Sequence, residues 1–284
     1  MKTHTKNAIL IPTDFSEVCN NAIEHGMVLA KALASQVWLL HVFDKDTQKY
    51  LDENNLEETD IESMLKQTAE KYSEKYGVSV NTHVKYGSLF DKVKEMNEKI
   101  QAKLIILGTH GKVGFQKLTG SYVLKIVTST NTPTIVVQKN SNPRGYKNII
   151  FPITASTEDR QKVMWAINIA KLFDATVHLI PKFESERYHK TKIMNVTKQI
   201  KTILSEYDIK FVDKVSSPGA GNFAKQVIDY AVEYKGDLIM TLVDKGKTFF
   251  FTSWDEQIIY NSSQIPVICI NPIDTKKSTW AKGW

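Results

Sequence analysis

The sequence has only two cysteines, Cys19 and Cys269, in 284 residues. They match neither a disulfide framework nor a Cys-x-x-Cys metal pattern. Cys19 falls in a helical pattern and Cys269 in an apolar strand pattern, so both read as reduced packing residues. No apolar run approaches the ~20 residues needed to cross a bilayer. The opening stretch, Met1 to Glu17, lacks a long apolar core followed by a small-residue cleavage site, so it does not read as a secretion signal. These absences predict a cytoplasmic protein without a membrane span. There is no GxxxxGK[ST] phosphate-loop motif. The carboxylates Asp52, Glu53, Glu57, Glu58, Asp60 and Glu62 lack accompanying Cys/His ligand spacing, so they read as solvated loop or helix-start residues rather than a metal site.

What is present is the composition of an ordinary globular protein, with 42% hydrophobic and 24% charged residues. At roughly 100–200 residues per domain, the length predicts two domains. The net charge is +6, from 37 basic and 31 acidic residues. The lysines are spread along the chain, which favours a solvated Lys-rich surface over a nucleic-acid face. The tail from Lys276 to Trp284 mixes Lys with Trp and reads as a frayed terminus by default, with a membrane surface or a partner as the alternatives.

Internal similarity organises the chain. Asn7–Val42 resembles Lys147–Lys182: Pro12 matches Pro152, Ser16 matches Ser156, Ala30-Lys31 matches Ala170-Lys171, and Val37 matches Val177, all at an offset of 140. Later, Lys103–Ile106 matches Asp237–Met240 at 134, and Thr132–Val137 matches Ile265–Ile270 at 133. A slowly shrinking offset is expected of duplicated domains with small loop deletions. In the first copy, apolar runs at Ala8–Thr13, Val37–Phe43, Ser79–Val84, Lys103–Leu107 and Thr134–Gln138 alternate with helical patterns near Glu17–Ala34, Thr59–Tyr76, Leu89–Ile100 and Ser121–Ser129. The runs mostly do not alternate apolar with polar, which marks strands buried on both faces. The predicted fold is α/β: two tandem doubly wound, Rossmann-like domains, each with a five-stranded parallel sheet. Predicted boundaries are 1–140 and 147–273, with a linker at Asn140–Tyr146 and a tail over 274–284.

In such sheets ligands bind beyond the carboxyl ends of the strands, near the switch in strand order. Two segments of copy one end there: Pro12-Thr13-Asp14-Phe15-Ser16, and Gly108-Thr109-His110-Gly111 running on to Gly120-Ser121 at a helix start. Glycines let backbone amides face a phosphate, and a helix start adds free N–H groups and a positive dipole end. Lys112 and Lys117 add charge. The same glycines also suit a strand-to-helix turn. Asp14 reads as a ligand or as a helix-cap residue near Ser16. His110 reads as a loop contact rather than an acid or base, and His41 as a structural histidine. Gly87-Ser88 pairs with Gly221-Asn222 in the second copy and reads as a turn.

These motifs together resemble the universal stress protein family, in a tandem two-domain form and over nearly the whole chain. The family opens on a strand and a P-x-D-x-S-like turn, here Pro12 to Ser16. Its nucleotide-binding members carry Gly-x-x-Gly, nine residues, then Gly-Ser or Gly-Thr; here eight residues separate Gly111 from Gly120. Pro133 to Val137 matches the family's last strand. The resemblance implies that Thr13, Asp14 and Val42 face the adenosine of ATP, while Gly108, Gly111, Gly120 and Ser121 cradle its phosphates, with or without Mg. It also implies pairing of last strands, Thr134–Gln138 with Val267–Ile270, as an intrachain pseudo-dimer; a homodimer of whole chains stays open.

Copy two departs from the pattern. Asp14 becomes Thr154, Gly108 becomes Leu242, Gly111 becomes Lys245 and Gly120-Ser121 becomes Ser253-Trp254. Trp254 is expected where phosphates would lie, and Phe249-Phe250-Phe251 reads as core or interface. Copy two is therefore expected not to bind ATP in the family manner. The leading reading is a non-enzymatic stress-response protein that binds an adenine nucleotide through copy one. A nucleotide-free interaction scaffold is the alternative, and a slow ATPase ranks below both.

Overall fold

The computed structural model describes residues 7–109, 120–139, 143–214, 216–218, 222–243 and 253–272. The chain divides into two compact units, Met1–Arg144 and Gly145–Trp284.

The first unit runs β1 (Ala8–Pro12), α1 (Glu17–Ala32), β2 (Gln36–Phe43), α2 (Lys45–Asn54), α3 (Glu58–Tyr76), β3 (Val80–Tyr86), α4 (Leu89–Ile100), β4 (Leu104–Gly108), α5 (Gly120–Ser129) and β5 (Thr134–Val137). Its strands are parallel and ordered β3-β2-β1-β4-β5. Strands β1, β4 and β5 are buried at every residue, as expected of strands covered by helices on both faces. Each buried Ile or Leu of β1 and β4 contributes roughly 1.5–3 kcal/mol. Helix α1 lays Val18, Ala22, Ile23 and Met27 against this sheet. Its start is set by Ser16, whose hydroxyl accepts from the Cys19 amide at 3.3 Å.

Helix α2 is an element that hydrophobic periodicity does not reveal. Its sequence, KDTQKYLDEN, is nearly all polar. One apolar side chain anchors it: Leu51 is buried with Phe43 and Ile61, and Phe15, Leu56, Met64 and Val84 pack around them.

The second unit runs β6 (Asn148–Ile153), a 3-10 turn (Thr157–Lys162), α6 (Val163–Phe173), β7 (Thr176–Pro181), α7 (Arg187–Glu206), β8 (Phe211–Asp213), α8 (Phe223–Glu233), β9 (Leu238–Leu242), α9 (Ser253–Ile259) and β10 (Val267–Ile270). These strands are also parallel, in the order β8-β7-β6-β9-β10. Both units are thus doubly wound sheets with one switch in strand order, at β1/β4 and at β6/β9. Among the described residues no helix is long and apolar enough to cross a membrane. No group of three His, Cys, Asp or Glu side chains there is placed to hold a metal ion. Both cysteines are buried, and burial, aided by the nearby Asp14 carboxylate, pushes the Cys19 thiol far above its ordinary range.

Candidate functional site

The carboxyl ends of β2, β1 and β4 lie side by side, which brings Val42, Thr13 and Gly108 together at the switch point. Thr13 continues the ladder, its amide donating to the Leu40 carbonyl at 2.9 Å. The turn that follows is built from its own side chains. The Phe15 amide donates to Thr13 Oγ1 at 3.1 Å, and the Ser16 amide donates to Asp14 Oδ1 at 2.9 Å. These short-range bonds are the way Thr and Asp fold a chain into turns. Phe15 takes φ 64°, a left-handed conformation that costs a β-carbon residue free energy. Its ring offsets that cost by stacking on His41, with centroids 5.0 Å apart.

His41 is buried and both ring nitrogens are engaged. The Thr13 carbonyl lies 2.9 Å from Nδ1 and can only accept, so Nδ1 carries the proton. Nε2 then accepts from the Thr47 hydroxyl at 3.3 Å. The histidine therefore ties the β1 turn to α2 and is structural, as its place in an apolar strand suggested. Thr47 was not visible as a partner because α2 itself was not. Burial lowers the His41 pKa below its ordinary value near 6.5, and burial also lowers that of His178 in β7. A group with a depressed histidine pKa binds fewer protons folded than unfolded, so its contribution to stability is present above pH ~6.5 and is lost as pH falls below it. We expect the urea midpoint to fall between pH 7.5 and pH 5.5, and to fall less in His41→Gln; an unchanged pH slope in that variant would contradict this assignment.

Val42 is buried, and its carbonyl lies 3.4 Å from the Thr47 hydroxyl, whose single proton goes to His41. It projects from the face of β2 opposite His41. Gly108 ends β4, but its lack of a side chain has a packing cause. A β-carbon there would stand 2.9 Å from the Val18 carbonyl oxygen and 3.0 Å from its carbonyl carbon. The first turn of α1 thus crosses β4 too closely for any other residue. Thr109 follows, fully buried, with its amide donating to the Val137 carbonyl at 2.9 Å. Gly120 and Ser121 open α5. His110, Gly111, Lys112 and Lys117 lie outside the described residues.

The corresponding corner of the second unit is filled in a way that sequence comparison missed. Lys162 and Asp159 form an ion pair at 2.7 Å, with only 3% and 4% of their side chains exposed. The Lys162 ammonium also donates to the Pro152 carbonyl at the end of β6, at 2.6 Å, and stands 4.6 Å from the Phe151 ring. The other Asp159 oxygen accepts from the Thr154 amide at 2.6 Å and from its hydroxyl at 2.8 Å. Thr154 is the residue that replaces Asp14. At the offset of 140, Asp159 and Lys162 replace Cys19 and Ala22; two apolar helix-face positions turning into an i,i+3 pair of opposite charge was the available signal. Trp254 stacks flat on Phe223 at the start of α8, with centroids 4.8 Å apart and planes 8° apart. Lys245 and Phe249-Phe250-Phe251 lie outside the described residues.

Comparison with known proteins fits this architecture. A family model for the universal stress protein family matches residues 6–138. A universal stress protein of Methanocaldococcus jannaschii is 31% identical over 139 residues, covering 46% of this chain and 81% of that protein. A second from the same organism is 28% identical over 155 residues, covering 47% of this chain and 96% of that protein. The crystal structure of a universal stress protein from Archaeoglobus fulgidus, 19% identical, superposes with a TM-score of 0.75 over 94% of this chain and 99% of that one, a likeness of fold. On these matches, over a parallel sheet whose strand order reverses between β1 and β4, the chain belongs to the universal stress protein family.

Proposed function

We propose that the first unit binds an adenine nucleotide, ATP foremost, at the carboxyl ends of β2, β1 and β4, and that the protein acts in a stress response through the bound state rather than by turnover. The observation that carries this reading is the self-supported turn at Thr13–Ser16. It sets Asp14, whose Oδ1 accepts from the Ser16 amide, at the switch point, where doubly wound sheets take ligands. Thr13, Asp14 and Val42 would meet the nucleoside. Gly111, Gly120 and Ser121 would meet the phosphates, drawing on the free amides of the α5 start. Gly108 serves this site indirectly, by letting α1 seat against β4. His41 is not placed to act as a base, since both its nitrogens are held by Thr13 and Thr47.

The second unit would not bind in this manner, because Lys162 and Asp159 occupy the corner at Pro152 and Thr154. Titration calorimetry with ATP is therefore expected to give one site per chain. Asp14→Ala should weaken binding roughly tenfold to a hundredfold, the value of a charge-assisted hydrogen bond. A Gly111 and Gly120 double substitution should abolish it. No heat with millimolar ATP would refute the ligand assignment and favour the scaffold reading, which the packing role of Gly108 independently supports. Magnesium dependence of the same titration would decide whether the ion accompanies the nucleotide.

A further inference from the structure

The outer helices that follow the second strand of each unit carry opposite charge. From Arg187 to Ser205, α7 holds Arg187, Lys190, Lys192, Lys198 and Lys201 without a single carboxylate. With Glu206 included, five cations stand against one anion, a net of +4 in a chain whose total is +6. The lysines look dispersed along the sequence, yet much of the net positive charge sits on this one helix. Its first turn and a half, residues 187–191, is exposed throughout. Tyr188 and Met194 stand 60% and 61% exposed among these cations, and the Lys192 ammonium lies over the Tyr188 ring at 4.6 Å.

In the first unit the pattern inverts. Between Tyr50 and Leu65 there is no Lys or Arg, while Asp52, Glu53, Glu57, Glu58, Asp60 and Glu62 fall within that stretch at the junction of α2 and α3. All except Asp60 are exposed. Helix α3 places its acids, Glu58 and Asp60, in its first turn, where the helix dipole favours them. Helix α7 has no acid in its first turn. Arg187 and Lys190 face the positive end of the dipole, against the stabilising arrangement, and the Glu186 cap, accepting from the Tyr188 and His189 amides, only partly offsets this. Lys201 is paired with Asp213, but Arg187, Lys190 and Lys198 have no carboxylate within ion-pair distance among the described residues. Arg187 and Lys190 therefore stand unpaired where the helix dipole disfavours them, and Lys198 stands unpaired further along, which leaves their charge open to a partner.

We infer that the exposed face of α7 docks the acidic α2–α3 corner of a second copy of this chain. Every copy carries both surfaces, so the complementarity needs no other protein. Tyr188 and Met194 supply the apolar area that a purely ionic contact lacks. The acidic corner adjoins the nucleotide site through Phe15, which packs against the cluster of Phe43, Leu51 and Ile61, but none of its carboxylates is assigned to the nucleotide.

The test is sedimentation velocity on the intact chain at increasing concentration. At about 0.01 M salt, where the screening length is about 30 Å, self-association should be measurable; at about 1 M, where it is about 3 Å, it should weaken at least tenfold. Arg187→Glu with Lys190→Glu and Lys198→Glu should leave a monomer at low salt. So should Asp52→Lys with Glu53→Lys and Glu62→Lys, each set checked for native circular dichroism. Mixing the two variant proteins should restore association, because each then presents what the other lacks. Monomeric wild-type protein at low salt, or a mixture that stays monomeric, overturns the inference. Binding of a short DNA duplex lost in the α7 variant, without self-association of the wild type, overturns it too and assigns the helix to nucleic acid.

Discussion

Lys162→Ala destabilises the second unit by about 3–5 kcal/mol, the cost of leaving a buried carboxylate without its cation. The variant strands Asp159, whose side chain is 4% exposed. The Thr154 amide and hydroxyl still donate to one oxygen, but the other loses its charged partner, and the Pro152 carbonyl loses its donor. The double variant Asp159→Cys with Lys162→Ala installs the residues of the first unit at these positions, Cys19 and Ala22. It should recover more than half of the loss, since removing both charges removes the desolvation cost along with the attraction. A double-mutant cycle by urea unfolding, with hydrogen exchange of β6 and β9 amides to report on this unit alone, measures the coupling. A single variant within about 0.5 kcal/mol of wild type would mean that water reaches the pair and that the corner is open.

Gly108→Ala lowers the stability of the first unit by about 1–3 kcal/mol with no nucleotide present, the usual cost of overpacking. The new methyl meets the Val18 main chain at 2.9 and 3.0 Å, and backbone cannot step aside as a side-chain end can. Relief requires α1 to lift from β4, which also shifts the turn at Thr13–Ser16 from which α1 starts. Nucleotide affinity should therefore fall together with the unfolding midpoint. A variant that keeps its midpoint and loses only affinity would return Gly108 to the phosphate cradle. One that keeps both would show that α1 has slack at this crossing. Thermal unfolding with and without ATP separates these outcomes.

Much of the architecture was legible in the chain. Runs such as Ala8–Pro12 and Leu104–Gly108 are apolar at successive positions because both faces of a parallel sheet are covered, and that pattern is local. The turn at Thr13–Ser16 was legible for a similar reason: its hydrogen bonds span two or three residues. Helix α2 was not. It is polar along its length; Asp44 caps it by accepting from the Thr47 amide, but its apolar anchor is Leu51 meeting Phe43 and Ile61, a contact between three elements. The role of Gly108 escaped for the same reason, since a glycine after a strand reads equally as a phosphate cradle or as clearance. The crossing of α1 at Val18 supplies the reason for clearance, and only the packed chain shows it.

The sequence by itself determined the number of domains, the alternation of strand and helix, the repeat at offsets from 140 to 133, and the loss of Asp14 and the glycines in the second copy. Those are properties of spacing and residue type, readable without knowing what touches what. Tertiary structure alone decided what replaced the lost groups. Asp159 and Lys162 stand in the sequence as an i,i+3 pair of opposite charge, but only the fold buries them against Pro152 and Thr154. A charged pair becomes structural only when water is excluded from it, and exclusion of water belongs to the packed chain.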